Sequence, residues 1–128
     1  MLPTAPTDQP MPPDAPAVVP AATVVIFRNA ADGGAPQLLM VQRAKEMRFA
    51  GGAAVFPGGR VDPADRVLAR KLMPAEPEEI AAARIAGIRE TLEETGLMIA
   101  TRRPVCAADA AAGRKLLLEL GTLEPVLD

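Results

Sequence analysis

The sequence predicts an α/β domain over residues 21–128, on three observations. Short β-branched or apolar runs separated by turn residues fill its first part. A long helix pattern with an apolar stripe follows. The length, 128 residues, suits one domain rather than two. Ahead of the domain, residues 1–20 hold seven of the 14 prolines and no Lys or Arg, which predicts a disordered, partly extended arm.

Ala22–Arg28 (ATVVIFR) reads as a strand. Asn29–Pro36 is a turn cluster, and Gln37–Gln42 is a second apolar run, so the two form a hairpin. Arg43–Gly52 is charged and then glycine-rich, hence loop. Ala53–Phe56 is a short strand stopped by Pro57-Gly58-Gly59. Asp62 and Pro63 suit the start of a short helix through Leu72, and Met73–Pro77 breaks it. The next helix opens at Pro77 with Glu78 and Glu79 at the positive end of its dipole, and Gly96 stops it. Ala81, Ile85, Ile88 and Leu92 form its apolar stripe, and Glu90, Glu93 and Glu94 fall on the opposite side. Leu97–Ala100 reads as a strand and Ala107–Leu120 as a third helix ending before Gly121.

Composition excludes several chemistries. There is no His, so imidazole zinc sites and Ser-His-Asp or Cys-His catalysis are excluded. The single cysteine, Cys106, excludes a disulfide framework and a cysteine zinc site. Any metal must be held by oxygen, which favours Mg²⁺ or Mn²⁺. A net charge of −2 argues against a nucleic-acid partner. No apolar run is long enough for a membrane span and no positive leader precedes one, so the expected location is a reducing cytoplasm. Nothing fixes the oligomeric state, and a homodimer stays open.

Two constellations carry chemistry. Arg89-Glu90-Thr91-Leu92-Glu93-Glu94-Thr95-Gly96-Leu97 places three carboxylates at i, i+3 and i+4 on one helical face. Such charges repel, and a divalent cation would relieve them; the plain alternative is a solvated acidic face. At average residue usage, R-E-x-x-E-E-x-G has a chance on the order of 10⁻⁶ at a given start. Phe56-Pro57-Gly58-Gly59-Arg60 lets backbone approach a ligand closely, or else is an ordinary turn.

Together the two resemble the signature of Nudix hydrolases, G-x5-E-x7-R-E-U-x-E-E-x-G-U, with U a bulky aliphatic. Gly59 takes the first glycine, and Arg89, Glu90, Leu92, Glu93, Glu94, Gly96 and Leu97 match the second half. Two departures stand out. Asp65 occupies the first Glu position, and 23 residues rather than 7 separate it from Arg89, an insertion of about 16 residues around 66–77 that is expected to be a surface excursion. Upstream, Arg43-Ala44-x3-Arg48-x3-Gly52-x3-Phe56-Pro57-Gly58-Gly59 resembles the extra motif of the coenzyme A and acyl-CoA diphosphatase branch.

The resemblance implies a Nudix-type α/β/α sandwich with a mixed sheet and a metal-dependent hydrolase of a nucleoside diphosphate derivative. Coenzyme A or acyl-CoA is the first choice of substrate. ADP-ribose or a dinucleotide is the enzyme alternative, and a binding module without turnover is the other. It implies that Glu90 and Glu94 hold Mg²⁺ or Mn²⁺, with Glu93 as third ligand or base and the Gly58 carbonyl completing the shell. Arg89 would orient the carboxylates, and Arg43, Arg48, Gly59 and Arg60 would bind substrate, the arginines as phosphate donors. Nudix domains continue further after the box helix, so the chain is expected to be C-terminally truncated, with apolar core surface left exposed.

Overall fold

In the computed structural model, residues 13–45 and 51–127 are described. The elements are β1 (Ala21–Thr23), β2 (Phe27–Arg28), β3 (Gln37–Leu38), β4 (Val41–Gln42), β5 (Ala54–Val55), β6 (Gly58–Arg60), α1 (Pro63–Leu72), α2 (Glu78–Thr95) and α3 (Ala107–Leu120). A 3₁₀ turn over Glu124–Leu127 follows. The class is α/β as expected. The strands pair as three antiparallel couples: β1 with β6, β2 with β3, and β4 with β5.

The expected hairpin is present only over Phe27–Arg28 and Gln37–Leu38; the start of the first run pairs with β6 and the end of the second with β5. β5 stops before Pro57 as expected, but the glycines that follow are themselves strand: Gly58–Arg60 pairs with β1 so that Thr23 faces Gly58. The glycine makes this possible, because a Cβ on Gly58 would run into the Ala22 carbonyl oxygen. Leu97–Ala100 is not a strand among the described residues. Thr95 Oγ1 takes up the Leu97 amide at 3.1 Å, Ala100 turns left-handed at φ 59°, and a strand exists only where a partner receives its amides. Of the predicted arm, residues 1–12 lie outside the described part. Residues 13–20 carry no helix or strand and are mostly exposed, and the Pro20 carbonyl accepts the Val61 amide at 2.9 Å.

α1 begins where Asp62 and Pro63 predict. It is not a mere surface excursion. Leu68 and Ala69 are buried and join Ala81, Ala82, Ile85 and Leu92 of α2 in the core. Fully burying a leucine contributes about 1.5–3 kcal/mol, whereas the solvent-screened Arg66–Glu79 and Arg70–Glu78 pairs across the same helices add little. α2 ends at Gly96, left-handed at φ 74°, with its amide on the Leu92 carbonyl. α3 ends likewise at Gly121 and inserts Leu117 into the same core, and Leu123 of the apolar tail is buried beside it. Apolar side chains that stay exposed include Val25, Ile80 and Leu97. Val25 and Ile80 border an apolar groove of about 920 Å³ between the β1 region and α2. No described helix is long and apolar enough to cross a membrane.

Candidate active site

The site is organised around a buried guanidinium. Arg89, on the inner face of α2, is 3% exposed, and Asp65 in the first turn of α1 is 2% exposed. Arg89 Nε and Nη2 donate to Asp65 Oδ1 and Oδ2 at 2.9 and 3.0 Å, a bidentate pair. Nη2 also donates to the Arg60 carbonyl at 2.9 Å. Nη1 donates to Glu90 Oε1 at 2.9 Å and to Glu93 Oε1 at 3.5 Å. All five N–H groups of the guanidinium therefore have acceptors inside the protein. Burial acts against its charge, but Asp65 and then Glu90 outweigh burial and hold it above its ordinary range. Arg89 thus touches the carboxylates of its own helix and leaves no donor for a ligand.

Asp65 is fixed in turn. Its Oδ2 accepts the Asp62 amide at 2.8 Å, closing the start of α1. Asp62 itself lies 3.4 Å from Arg89 Nη2. The helix start and the guanidinium share one carboxylate, which locks the first turn of α1 to the middle of α2.

The carbonyl that Arg89 uses is available because of ladder parity. Val24 donates to Pro57 O and Val61 to Pro20 O, at 2.8 and 2.9 Å. In an antiparallel pair the bonded positions alternate. Gly58 and Arg60 therefore sit at non-bonded positions opposite Thr23 and Ala21, and their peptide groups face away from β1. The Arg60 carbonyl meets Arg89, and the Gly58 amide, turned the same way, favours the charged form of the Glu94 carboxyl. A cleft of about 640 Å³ opens beside them, lined by Ala22, Arg43, Phe56, Gly58, Gly59 and Glu94 among others.

Charge in this cleft is held at a cost. Burial pushes the Glu90 carboxyl above its ordinary range against the pull of Arg89, and Glu93 and Glu94 push it further. Burial also raises Glu94; the Gly58 amide opposes it, Glu93 adds to it, and Arg43 and a hydrogen bond with Glu90 oppose it. Gly59 lies flat against Glu90, and a Cβ there would occupy the space of the carboxylate. Gly59→Ala should push the Glu90 carboxylate aside at a small cost, because that carboxylate is the far end of a flexible side chain; urea unfolding checks this, and a large fall in the midpoint would show that Glu90 cannot move.

The structure brings Glu90, Glu94, Gly58, Gly59 and Arg43 to one place. Arg43 Nε is buried without a hydrogen-bond partner among the described residues. Glu93 is drawn toward Arg89. Arg60 enters through its carbonyl, while the residue is exposed and does not line the cleft. Arg48 lies outside the described residues. The sequence marks Asp62 as a helix start and Asp65 as the first acidic position of the signature, but the pairing of Asp65 with Arg89 and with the Asp62 amide is visible only in the fold. Among the described residues no three His, Cys, Asp or Glu side chains are gathered tightly enough to hold an ion alone. The donor set still fits a hard cation. It is all oxygen, and Mg²⁺ is usually held by one or two carboxylates plus substrate phosphates and water rather than by a protein cage. Glu90 and Glu94, one helical turn apart on α2, are such a pair.

No family model and no curated protein matches the chain. A solved Nudix hydrolase from Alicyclobacillus acidocaldarius matches 80% of it at 32% identity, with a TM-score of 0.58. The chain has a Nudix fold. It spans 53% of the length of that Nudix protein. Within the Nudix framework, the helix that carries Arg89, Glu90, Glu93 and Glu94 is α2, and the glycine of the signature lies in β6. Residues 66–72, between Asp65 and Arg89 in sequence, belong to α1, and the Asp65–Arg89 pair joins that helix to α2.

Proposed function

We propose that the protein is a metal-dependent hydrolase of a diphosphate bond in a nucleoside diphosphate derivative, with coenzyme A or an acyl-CoA as substrate. The observation that carries the proposal is the meeting of Glu90 and Glu94 with the Gly58–Gly59 backbone at a cleft that also receives Arg43. Glu90, Glu94 and the Gly58 carbonyl would hold Mg²⁺ or Mn²⁺, which when bound polarises phosphoryl oxygens and lowers the pKa of a bound water. Arg89 keeps Glu90 and Glu93 aimed by taking up one oxygen of each. Glu93 retains a second carboxylate oxygen that can accept a proton at the cleft or serve as a further ligand. Arg43 lines the cleft, where its guanidinium would donate to a phosphate oxygen.

Coenzyme A adds a 3′-phosphate to the diphosphate, and the Arg43–Arg48 spacing supports two anion contacts rather than one. The products would be 3′,5′-adenosine diphosphate and a phosphopantetheine species. A panel of coenzyme A, dephospho-coenzyme A, ADP-ribose and a dinucleotide, assayed with Mn²⁺, tests the substrate. Arg48→Ala should cut coenzyme A turnover by the worth of one charge-assisted contact, roughly 1.5–3 kcal/mol, and spare substrates lacking the 3′-phosphate. An equal loss on both types would remove the specificity.

The second reading is a module that binds a diphosphate without cleaving it; Asp65 in place of the signature's glutamate favours it. Binding of coenzyme A with no phosphorus product across the Mn²⁺ panel would select that reading.

A further inference from the structure

α3 carries a residue that its packing does not call for. Its buried face is built from Ala110 and Leu117. Arg114 stands between them at i+4 from Ala110, on the same stripe, where an apolar side chain would serve packing better. It is half-buried, and its Nε donates to the backbone carbonyl of Glu93 at 2.8 Å. Its stem lies near Gly96, where a Cβ would meet Arg114 Cδ at 3.8 Å. The last turn of α2 needs such a partner. It carries Glu93 and Glu94 at the negative end of the helix dipole and has no basic residue of its own, while Arg89 is consumed by Asp65 and Glu90.

We propose that Arg114 is a positioning residue for the carboxylate-bearing turn of α2: its Nε–H, reaching from α3 to the Glu93 carbonyl, fixes where Glu93 and Glu94 stand. The proposal rests on the metal-dependent reading above. In effect α3, which lines no part of the cleft, sets the geometry of one of its walls.

Three variants of the full chain separate positioning from packing. Arg114→Met keeps the length and apolar character of the stem and removes the donor. Arg114→Gln places an N–H the same number of bonds from the backbone as Arg Nε and removes the charge. Leu117→Ala damages the packing of α3 and leaves the hydrogen bond. By calorimetry, R114M should bind Mn²⁺ about tenfold more weakly, the low end of what losing an outer partner of a metal ligand costs. R114M should also speed hydrogen exchange at the Gly96 and Leu97 amides. R114Q should stay close to the wild type in both, and L117A should melt earlier yet keep its Mn²⁺ affinity once folded. Wild-type affinity in R114M, or equal losses in R114M and L117A, would overturn the proposal, as would an R114Q no better than R114M. If R114M does not fold, Arg114→Lys decides: it keeps the charge, has no nitrogen at the ε position, and must lose Mn²⁺ affinity. If folded wild type binds no Mn²⁺, the metal reading fails, and exchange at Gly96 and Leu97 in R114M against R114Q still tests the positioning.

Discussion

Glu94→Gln should leave the protein folded and cut Mn²⁺ affinity by roughly 100-fold or more, since outer partners of a metal ligand alone already cost about 10–100-fold. Any diphosphate turnover should fall with it. The substitution keeps shape, and Glu94 is exposed and forms no salt bridge among the described residues, so no ion pair is broken. Its carboxyl is raised by burial at the cleft and by Glu93, with the Gly58 amide and Arg43 opposing. The sign of the linkage follows. A carboxyl raised in the folded state favours folding at low pH, and that contribution is lost as pH rises through its folded value. Without metal, the wild type should therefore lose stability as pH climbs past the ordinary carboxylate range, with Glu90 acting in the same direction. Mn²⁺ affinity should rise over the same interval, because the ligand is the deprotonated form. E94Q should be at least as stable as the wild type at neutral pH without metal. Mn²⁺ at about 100 times its Kd adds about 2.7 kcal/mol to a protein that binds it only when folded. Thermal melts should show that gain in the wild type and little of it in E94Q; an equal gain in both would remove Glu94 from the metal site.

What could be read in the chain beforehand follows from how local each feature is. α2 was legible because its stripe of Ala81, Ile85, Ile88 and Leu92 and its Gly96 stop are periodic and short-range. The same periodicity put Glu90, Glu93 and Glu94 together, since neighbours on a helix need no tertiary information. Strand ends were harder. β6 exists because Gly58 tolerates the Ala22 carbonyl, a contact across more than thirty residues. Leu97–Ala100 has a strand's composition but gains no partner among the described residues, and composition without a ladder does not make a strand. Helical spacing gives the face but not the direction of a side chain, so the sharing of Arg89 Nη1 between Glu90 and Glu93 needed the fold. Arg114 left no motif at all. Its role is visible only once α3 is laid against the end of α2.

Asp65→Asn should cost about 3–5 kcal/mol, the penalty of leaving half of a buried ion pair uncompensated. That is a large part of the roughly 5–15 kcal/mol that holds a domain of this kind together. The size follows from the company Asp65 keeps. Both members of the pair are nearly inaccessible to water, the contact is bidentate, and the same carboxylate receives the Asp62 amide at the start of α1. An exposed aspartate would shift stability by no more than about 0.5 kcal/mol, so urea unfolding separates the two cases cleanly. Asp65→Glu is the sharper probe, because it installs the residue type that the Nudix signature has at this position. The extra methylene must enter a site that is 2% exposed and already matched in length to Arg89. It should therefore destabilise by about 1–3 kcal/mol through overpacking, although it brings the sequence nearer to the family pattern. The carboxylate stands in the first turn of α1, and Asp is the length that both Arg89 and the Asp62 amide can reach. A variant D65E as stable as the wild type would show that this turn is free to move, and that the pairing of α1 with Arg89 does not depend on the shorter side chain.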